Sequence, residues 1–310
     1  MTRLQVGFMT TDEHAADLRA LEAEAIDSLW VGGHVASRNP GREAITSLTR
    51  LAALTDRARI GTSVLLLPLY PPALVAKQLA DIDRMSNGRL TVGVGVGGEY
   101  PQEFRACQIP LAERGTRTDE AIPLIRSLWT AENVSHAGRH YSMTDVRIHP
   151  APAQRGGPPI AVAGRKQPAM RRAAILGDGW MPYLYSARRY AESVQTITSH
   201  AAEAGRDLTG FEWFAFLFVN VNPDRAAARD QAAAFLGGNY KQDFDAMLNN
   251  VAAVGTPDEV AERLQAFVDA GARHLIFTPA TRDDTRPIRR CLLEDVLPRL
   301  RTPQAGDTRK

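Results

Sequence analysis

Cysteine is nearly absent: Cys107 and Cys291 are the only two in 310 residues. They form no C-x-x-C pair, which excludes a disulfide framework and the common structural zinc sites. Charge of one sign is also lacking, since 37 Lys+Arg stand against 35 Asp+Glu for a net +2. Neither sign clusters, so nothing marks a nucleic-acid or membrane-surface partner. No apolar run approaches the length of a membrane span. The start, MTRLQVGFMT, enters a strand pattern without the regions of a signal peptide, and the expectation is a cytoplasmic protein with free thiols. H-E-x-x-H, G-x-S-x-G and G-x-x-x-x-G-K-[ST] are all missing, which argues against metalloprotease, serine hydrolase and P-loop chemistry. His136 and His140 are four apart, but Gly138 lies between them in a loop-like context, so no metal is expected.

What is present is a hydrophobic fraction of 44%, ordinary for a folded protein with a sizeable core. The most distinctive stretch is LTVGVGVGGE, residues 90 to 99. Leu90, Val92, Val94 and Val96 suit one buried face of a strand, while Gly93, Gly95 and Gly97 leave the other face bare. Gly93-x-Gly95-x-x-Gly98 satisfies the dinucleotide-binding pattern as text. Those glycines lie inside the strand, however, and no helical pattern follows until about Arg114, whereas the nucleotide fold opens its helix at once. The bare face reads instead as a place where a flat ring or another backbone comes close.

The rest of the chain repeats one unit. Strands are expected at residues 4–9, 28–31, 59–67, 90–96, 158–164, 179–182, 211–221 and 274–278, each followed by a helix. Thr10 with Glu13 reads as a capping box, as does Thr256-Pro257 with Glu259. Ser86-Asn87-Gly88 is a left-handed stop after the helix that begins near Pro72. Eight strand–helix units fit a single α/β domain, a (β/α)8 TIM barrel over residues 1–301, better than an open doubly wound sheet. Residues 131–158 read as an insertion after the fourth unit, over the active-site face, and residues 302–310 as a disordered tail.

In such barrels the site lies at the carboxyl ends of the strands. These ends deliver His34, Ser63 to Leu67, Gly97 to Glu99, Gly164-Arg165-Lys166, Tyr183 and Tyr185, and Thr278. His34 follows two glycines and suits a general acid or base near neutral pH, with a loop or capping histidine as the bland alternative. Glu99 is a second acid–base candidate, or else a loop carboxylate that caps backbone amides. Gly164-Arg165-Lys166 at a helix start suits an anion, although cations at a helix edge are often simply solvated. Trp30, Trp129, Trp180 and Trp213 read as core.

Four runs together resemble the luciferase-like monooxygenase superfamily, and most of all its actinobacterial branch that uses the deazaflavin coenzyme F420. They are RIGTSVLLLPLYPPALVAKQLADIDRMSNGRLTVGVGVGGEYPQEF, AERGTRTDEAIPLIRSLW, PPIAVAGRKQPAMRRAAILGDGW and VGTPDEVAERLQAFVDAGARHLIF. The resemblance implies a deazaflavin or flavin ring across the carboxyl ends of the strands. Ser63-Val64 matches a bulge, often a non-prolyl cis peptide, behind the ring. Gly97 and Glu99, with Gly98 between them, match cofactor-side positions, Ala163 and Gly164 match positions beside its tail, where the Arg165 and Lys166 cations follow, and Tyr183 joins the same mouth. His34 matches a proton-transferring histidine in some deazaflavin dehydrogenases. Many relatives carry an acidic residue just before that histidine, where this chain has Gly33, so an orienting carboxylate is missing or supplied elsewhere. The implied activity is hydride transfer between F420 and a small organic substrate held under the insertion. Deazaflavin forms no oxygen adduct, so dehydrogenase or reductase chemistry is implied; FMN in the same place would make a two-component monooxygenase. A barrel that binds flavin without turnover is the alternative of another class. Relatives are often dimers or tetramers, so a homodimer is an expectation on resemblance alone.

Overall fold

The structure, a computed structural model, describes residues 3–10, 14–37, 42–240 and 248–301. Eight parallel strands close on themselves. They are β1 (Gln5–Met9), β2 (Ser28–Val31), β3 (Arg59–Thr62), β5 (Leu90–Gly95), β8 (Ile160–Ala163), β9 (Gly179–Met181), β10 (Glu212–Val221) and β12 (His274–Pro279). β12 pairs with β1 and β10 pairs with β9, which leaves the barrel no open edge. The short β4 (Leu65–Leu66) continues β3 past a break and pairs with Val94 and Gly95 of β5.

Strand alternation decides what faces where. Leu29 and Val31 point out to the helices with Leu90, Val92 and Val94, while Trp30 points into the lumen. There it is fully buried, edge-on to Phe214 at 5.4 Å, and packed with Ala161, Met181 and Ile276. The bare face of the glycine strand is filled by the neighbouring strand, the second of the two occupants foreseen for it. A Cβ at Gly93 would lie 2.0 Å from the Thr62 carbonyl oxygen, and one at Gly95 2.6 Å from Val64 Cγ2.

The helices between these strands are α1 (Ala15–Ala23), α2 (Ala44–Leu54), α3 (Pro72–Met85), α4 (Pro101–Ala106), α5 (Arg114–Thr130), α6 (Gln167–Leu176) and α7 (Ala187–Glu203). After β10 come α8 (Arg225–Tyr240), α9 (Leu248–Val251), a further strand β11 (Ala252–Gly255) and α10 (Pro257–Asp269); α11 (Arg286–Cys291) follows the last strand. The Thr256–Glu259 capping box is present. So is the left-handed stop, with φ of 54° at Asn87 and 77° at Gly88.

Three expectations change. Thr10 does not cap α1: its hydroxyl donates to the Trp30 carbonyl, and the helix begins at Ala15. Glu13 and residues 302–310 lie outside the described residues. The glycine strand is followed by α4 well before Arg114, started by Pro101 at its first turn. The 131–158 insertion does not cross the mouth. It leaves from the carboxyl end of α5 and forms the antiparallel hairpin β6 (Val134–Ala137) and β7 (Ser142–Val146), which lies along the outside of α5. The Glu120 carboxylate fastens it, accepting from His136 Nε2 (3.0 Å) and from the His140 and Tyr141 amides (3.0 Å each). Its last stretch lies at the amino-terminal end of the barrel, where the Gln154 side chain donates to the Leu90 carbonyl (2.8 Å).

The segment that does rise at the carboxyl end is the one after β10. β10 outruns its neighbours, and β11 pairs with Phe218–Val221 beyond the reach of β9. α8 and β11 bury a second apolar cluster there, around Phe218, Leu236, Leu248 and Ala252.

Candidate active site at the carboxyl end of the barrel

His34 sits in the loop after β2. Its predecessor is glycine for a steric reason: a Cβ at Gly33 would lie 2.4 Å from the Ala44 amide nitrogen and 2.8 Å from the Arg42 carbonyl. No acidic side chain fits there. The carboxylate comes instead from Glu103 on α4, both of whose oxygens lie 3.2 Å from His34 Nδ1. Glu103 is fully buried and also accepts from the Val35 amide at 3.2 Å. A carboxylate accepts only, so Nδ1 carries the proton and Nε2 is left as the atom that exchanges one. The ring stays open, with 32% of its side chain exposed, and Tyr100 packs against it at 4.9 Å, nearly perpendicular.

Behind this pair, the Tyr70 hydroxyl donates to Glu43, which also caps α2 through the Ile45 and Thr46 amides. Burial and the Glu43 carboxylate push the Tyr70 phenol up. Burial and Glu103 do the same to the Cys107 thiol. These groups stay protonated at neutral pH and form a fixed wall. Sequence reasoning missed Glu103; Pro101 signalled a helix start, but no spacing rule links residues 34 and 103.

The floor of the mouth is apolar and flat. The Ser63–Val64 peptide is cis, as the resemblance implied. The Ser63 amide donates to the Val31 carbonyl (2.6 Å) and its hydroxyl to the Met181 sulfur (3.1 Å). Val64, Ala163, Met9 and Phe216 are half-buried on top of the Trp30 cluster. Gly97 (φ 65°) and Gly98 (φ 112°) turn the chain from β5 toward α4, in conformations that favour glycine.

A second polar group lies on the side of β8 and β9. Arg165 donates to the Leu184 carbonyl (3.1 Å) and stacks 4.9 Å above the Tyr183 ring. Burial pushes the Tyr183 phenol up, Arg165 opposes this, and the exposed Glu99 carboxylate adds to it. Arg165 and Tyr183 are therefore in contact. Gly164 (φ 133°) accepts from the Trp180 indole through its carbonyl (2.9 Å), and Lys166 is exposed at the start of α6. Tyr185 turns away, buried and bonded to Ser193 (2.8 Å). The Thr278 hydroxyl is buried with no hydrogen-bond partner among the described residues. Among the described residues no cluster of His, Cys, Asp and Glu is arranged to hold a metal ion.

Fold and site together define a parallel β/α barrel whose mouth has a flat apolar floor, an imidazole–carboxylate pair on one flank and a cation–phenol pair on another. The chain belongs to the luciferase-like monooxygenase family, whose profile matches residues 3–274. It is 32% identical to the F420-dependent glucose-6-phosphate dehydrogenase of Beutenbergia cavernae, over 96% of this chain and 98% of that protein. Monooxygenase RslO1 from Streptomyces bottropensis superposes with a TM-score of 0.82 at 25% identity, covering 95% of this chain and 99% of that one. An F420-dependent secondary alcohol dehydrogenase, solved with an F420–acetone adduct, gives a TM-score of 0.81 at 22% identity, over 96% of this chain and 99% of that one. At that identity the likeness is one of fold. No helix among the described residues is long and apolar enough to cross a membrane.

Proposed function

We propose that this chain is an F420-dependent oxidoreductase that transfers a hydride between the deazaflavin and a small organic substrate, with His34 moving the accompanying proton. The observation that carries the reading is the His34–Glu103 pair, held open at the same barrel end as the cis Ser63–Val64 step. The residues present fit a planar cofactor with an anionic tail. Ser63, Val64, Gly97 and Gly98 offer backbone and small groups to a ring, while Ala163, Gly164, Arg165, Lys166 and Tyr183 offer close backbone approach and positive charge to a tail. When bound, F420 supplies a ring carbon that accepts or returns a hydride.

The protein's own part is proton handling and orientation. His34 Nε2 takes the proton from a substrate hydroxyl during oxidation and returns it during reduction. Glu103 fixes the ring through Nδ1 and stabilises the imidazolium that forms. Glu99, exposed in the loop after β5, is a second group for proton exchange at the rim. The wall of Tyr70, Glu43 and Cys107 keeps water from the back of the pair.

Equilibrium titration of the purified chain with oxidised F420 and, separately, with FMN tests this reading. Tight binding of F420 with weak FMN binding is the expected result. The reverse would make the chain an FMN-dependent monooxygenase, and binding of neither would remove the cofactor assignment.

A further inference from the structure

Outside the barrel mouth, α8, β11 and α10 leave a cleft of about 400 Å³ between them, a size in the range of sites that hold small ligands. Charged side chains dominate its walls. Arg225 and Arg229 come from α8, where a spacing of four puts them on one face of the helix. Glu259, Glu262 and Arg263 come from α10, and Val254 of β11 adds an apolar patch. None of the mouth residues described above lines this cleft.

The charges here are unequally satisfied. Glu259 is fully engaged: one oxygen pairs with Arg225 Nε at 3.1 Å, and the other accepts from the Thr256 amide at 3.0 Å in the capping box. Arg263 is the opposite case. It is half-buried, yet among the described residues its guanidinium donates no hydrogen bond and forms no ion pair. Burial pushes its pKa down, and only the exposed carboxylate of its chain neighbour Glu262 opposes this. A guanidinium keeps its proton under such pressure, so it stays charged, partly stripped of water and short of acceptors. Three arginines thus face two glutamates, one of which is already held by Arg225 and the helix cap. A metal ion finds no ligand set in this place, since no cluster of His, Cys, Asp and Glu suits one among the described residues. An anion finds unmet donors and an excess of positive charge.

From this cleft we infer a second binding site, outside the barrel mouth, for a phosphate group, carried by a small organic phosphate or present as free phosphate. The planar Arg263 fork offers paired donors to two phosphate oxygens. Arg229 adds positive charge from the facing helix, and the carbon body of an organic phosphate rests on Val254. The ligand exchanges the incomplete hydration of Arg263 for charge-assisted hydrogen bonds and ties α8 to α10. The site is independent of the hydride-transfer reading.

Calorimetric titration of the full chain with inorganic phosphate and, separately, with glycerol 3-phosphate tests the inference. No F420 is present, so failure here leaves the cofactor reading as it stands. Saturable binding is the expected result, tighter for glycerol 3-phosphate where the organic body is recognised and equal where the site serves free phosphate. In Arg263→Gln the dissociation constant should rise about 10-fold or more, the scale of one lost charge-assisted hydrogen bond, and Arg229→Gln should shift it in the same direction. Arg188→Gln, which removes the same charge from an exposed position on α7, should leave it unchanged. Saturating phosphate should also raise the thermal midpoint of the parent and lose that effect in Arg263→Gln. No binding to the parent, unchanged affinity in both cleft variants, or an equal loss in Arg188→Gln would overturn the inference. So would binding that is lost in Arg165→Gln and kept in Arg263→Gln, because the phosphate would then sit at the mouth.

Discussion

A histidine becomes a directed proton carrier when one ring nitrogen is spoken for, and Glu103 does this for His34. The arrangement puts a buried acceptor behind Nδ1 and leaves Nε2 as the nitrogen for proton exchange. Replacing Glu103 by glutamine keeps the size but removes the charge, so the imidazolium loses its stabilising partner and the ring its fixed orientation. In Glu103→Gln, kcat should fall about 100-fold, the scale of a disabled acid–base group. F420 affinity should stay within twofold by the same reasoning, because Glu103 faces the histidine and not the floor. Glu103→Asp should recover part of the rate. Equal losses in kcat and in cofactor affinity for both variants would reduce Glu103 to a packing role. His34 itself was legible from its place after a strand and two glycines. Its partner was not, because the contact spans 69 positions and depends on how α4 folds back.

At the scale of elements, local chemistry was read well and placement poorly. The capping box at Thr256, the stop at Asn87-Gly88 and the broken strand at Ser63-Val64 are all written in a few adjacent residues, and all are present. α4 and β11 were missed because six and four residues carry too little periodicity to stand out. The hairpin of residues 134–146 was given the wrong position for a different reason. A helix in a β/α unit returns the chain to the amino-terminal face, so whatever follows α5 starts far from the mouth, and Glu120 then fastens it to the outside of that helix. Burial pushes the Glu120 carboxyl up, but His136 and the His140 and Tyr141 amides outweigh it and hold the carboxyl below its ordinary value. Glu120→Ala should therefore raise proteolytic cleavage within residues 134–146 severalfold while leaving kcat unchanged. Limited proteolysis beside a rate assay decides this, and a matching loss of activity would put the hairpin back at the active site.

Across the whole molecule, the repeat of strand and helix was enough to give a closed barrel, because eight units at steps of this length have few other ways to bury both faces. What fills the barrel's amino-terminal end was not legible, since it joins residues from five distant strands. Arg59 forks onto Glu212 with two contacts of 2.8 Å and reaches Thr91 at 2.6 Å. His274 is buried, with Nε2 2.7 Å from the Ser28 hydroxyl, which in turn accepts from the Trp30 indole at 2.7 Å. His274 Nδ1 lies 3.9 Å from Glu212, too far for a hydrogen bond. This polar base holds Trp30 in place, and Trp30 supports the floor of the mouth.

That base makes stability depend on pH in a definite direction. Burial lowers the His274 value below its ordinary 6.5, with Glu212 opposing only in part. As pH drops below about 6.5, the unfolded chain binds this proton and the folded one does not, so stability falls. Burial pushes Glu212 up, but the Arg59 fork outweighs it and holds it at about 2, against an ordinary 4.5. Its contribution is complete above about 4.5 and is lost as pH falls toward about 2. The urea midpoint should accordingly decline in two stages on acidification, the first through the histidine range and the second through the carboxylate range. Glu212→Gln should be less stable at neutral pH, because Arg59 loses its charged partner, and its deficit relative to the parent should shrink through the second stage. A midpoint that stays flat through the first stage would mean that His274 takes up a proton in the folded barrel, and with it that the base under Trp30 opens to water.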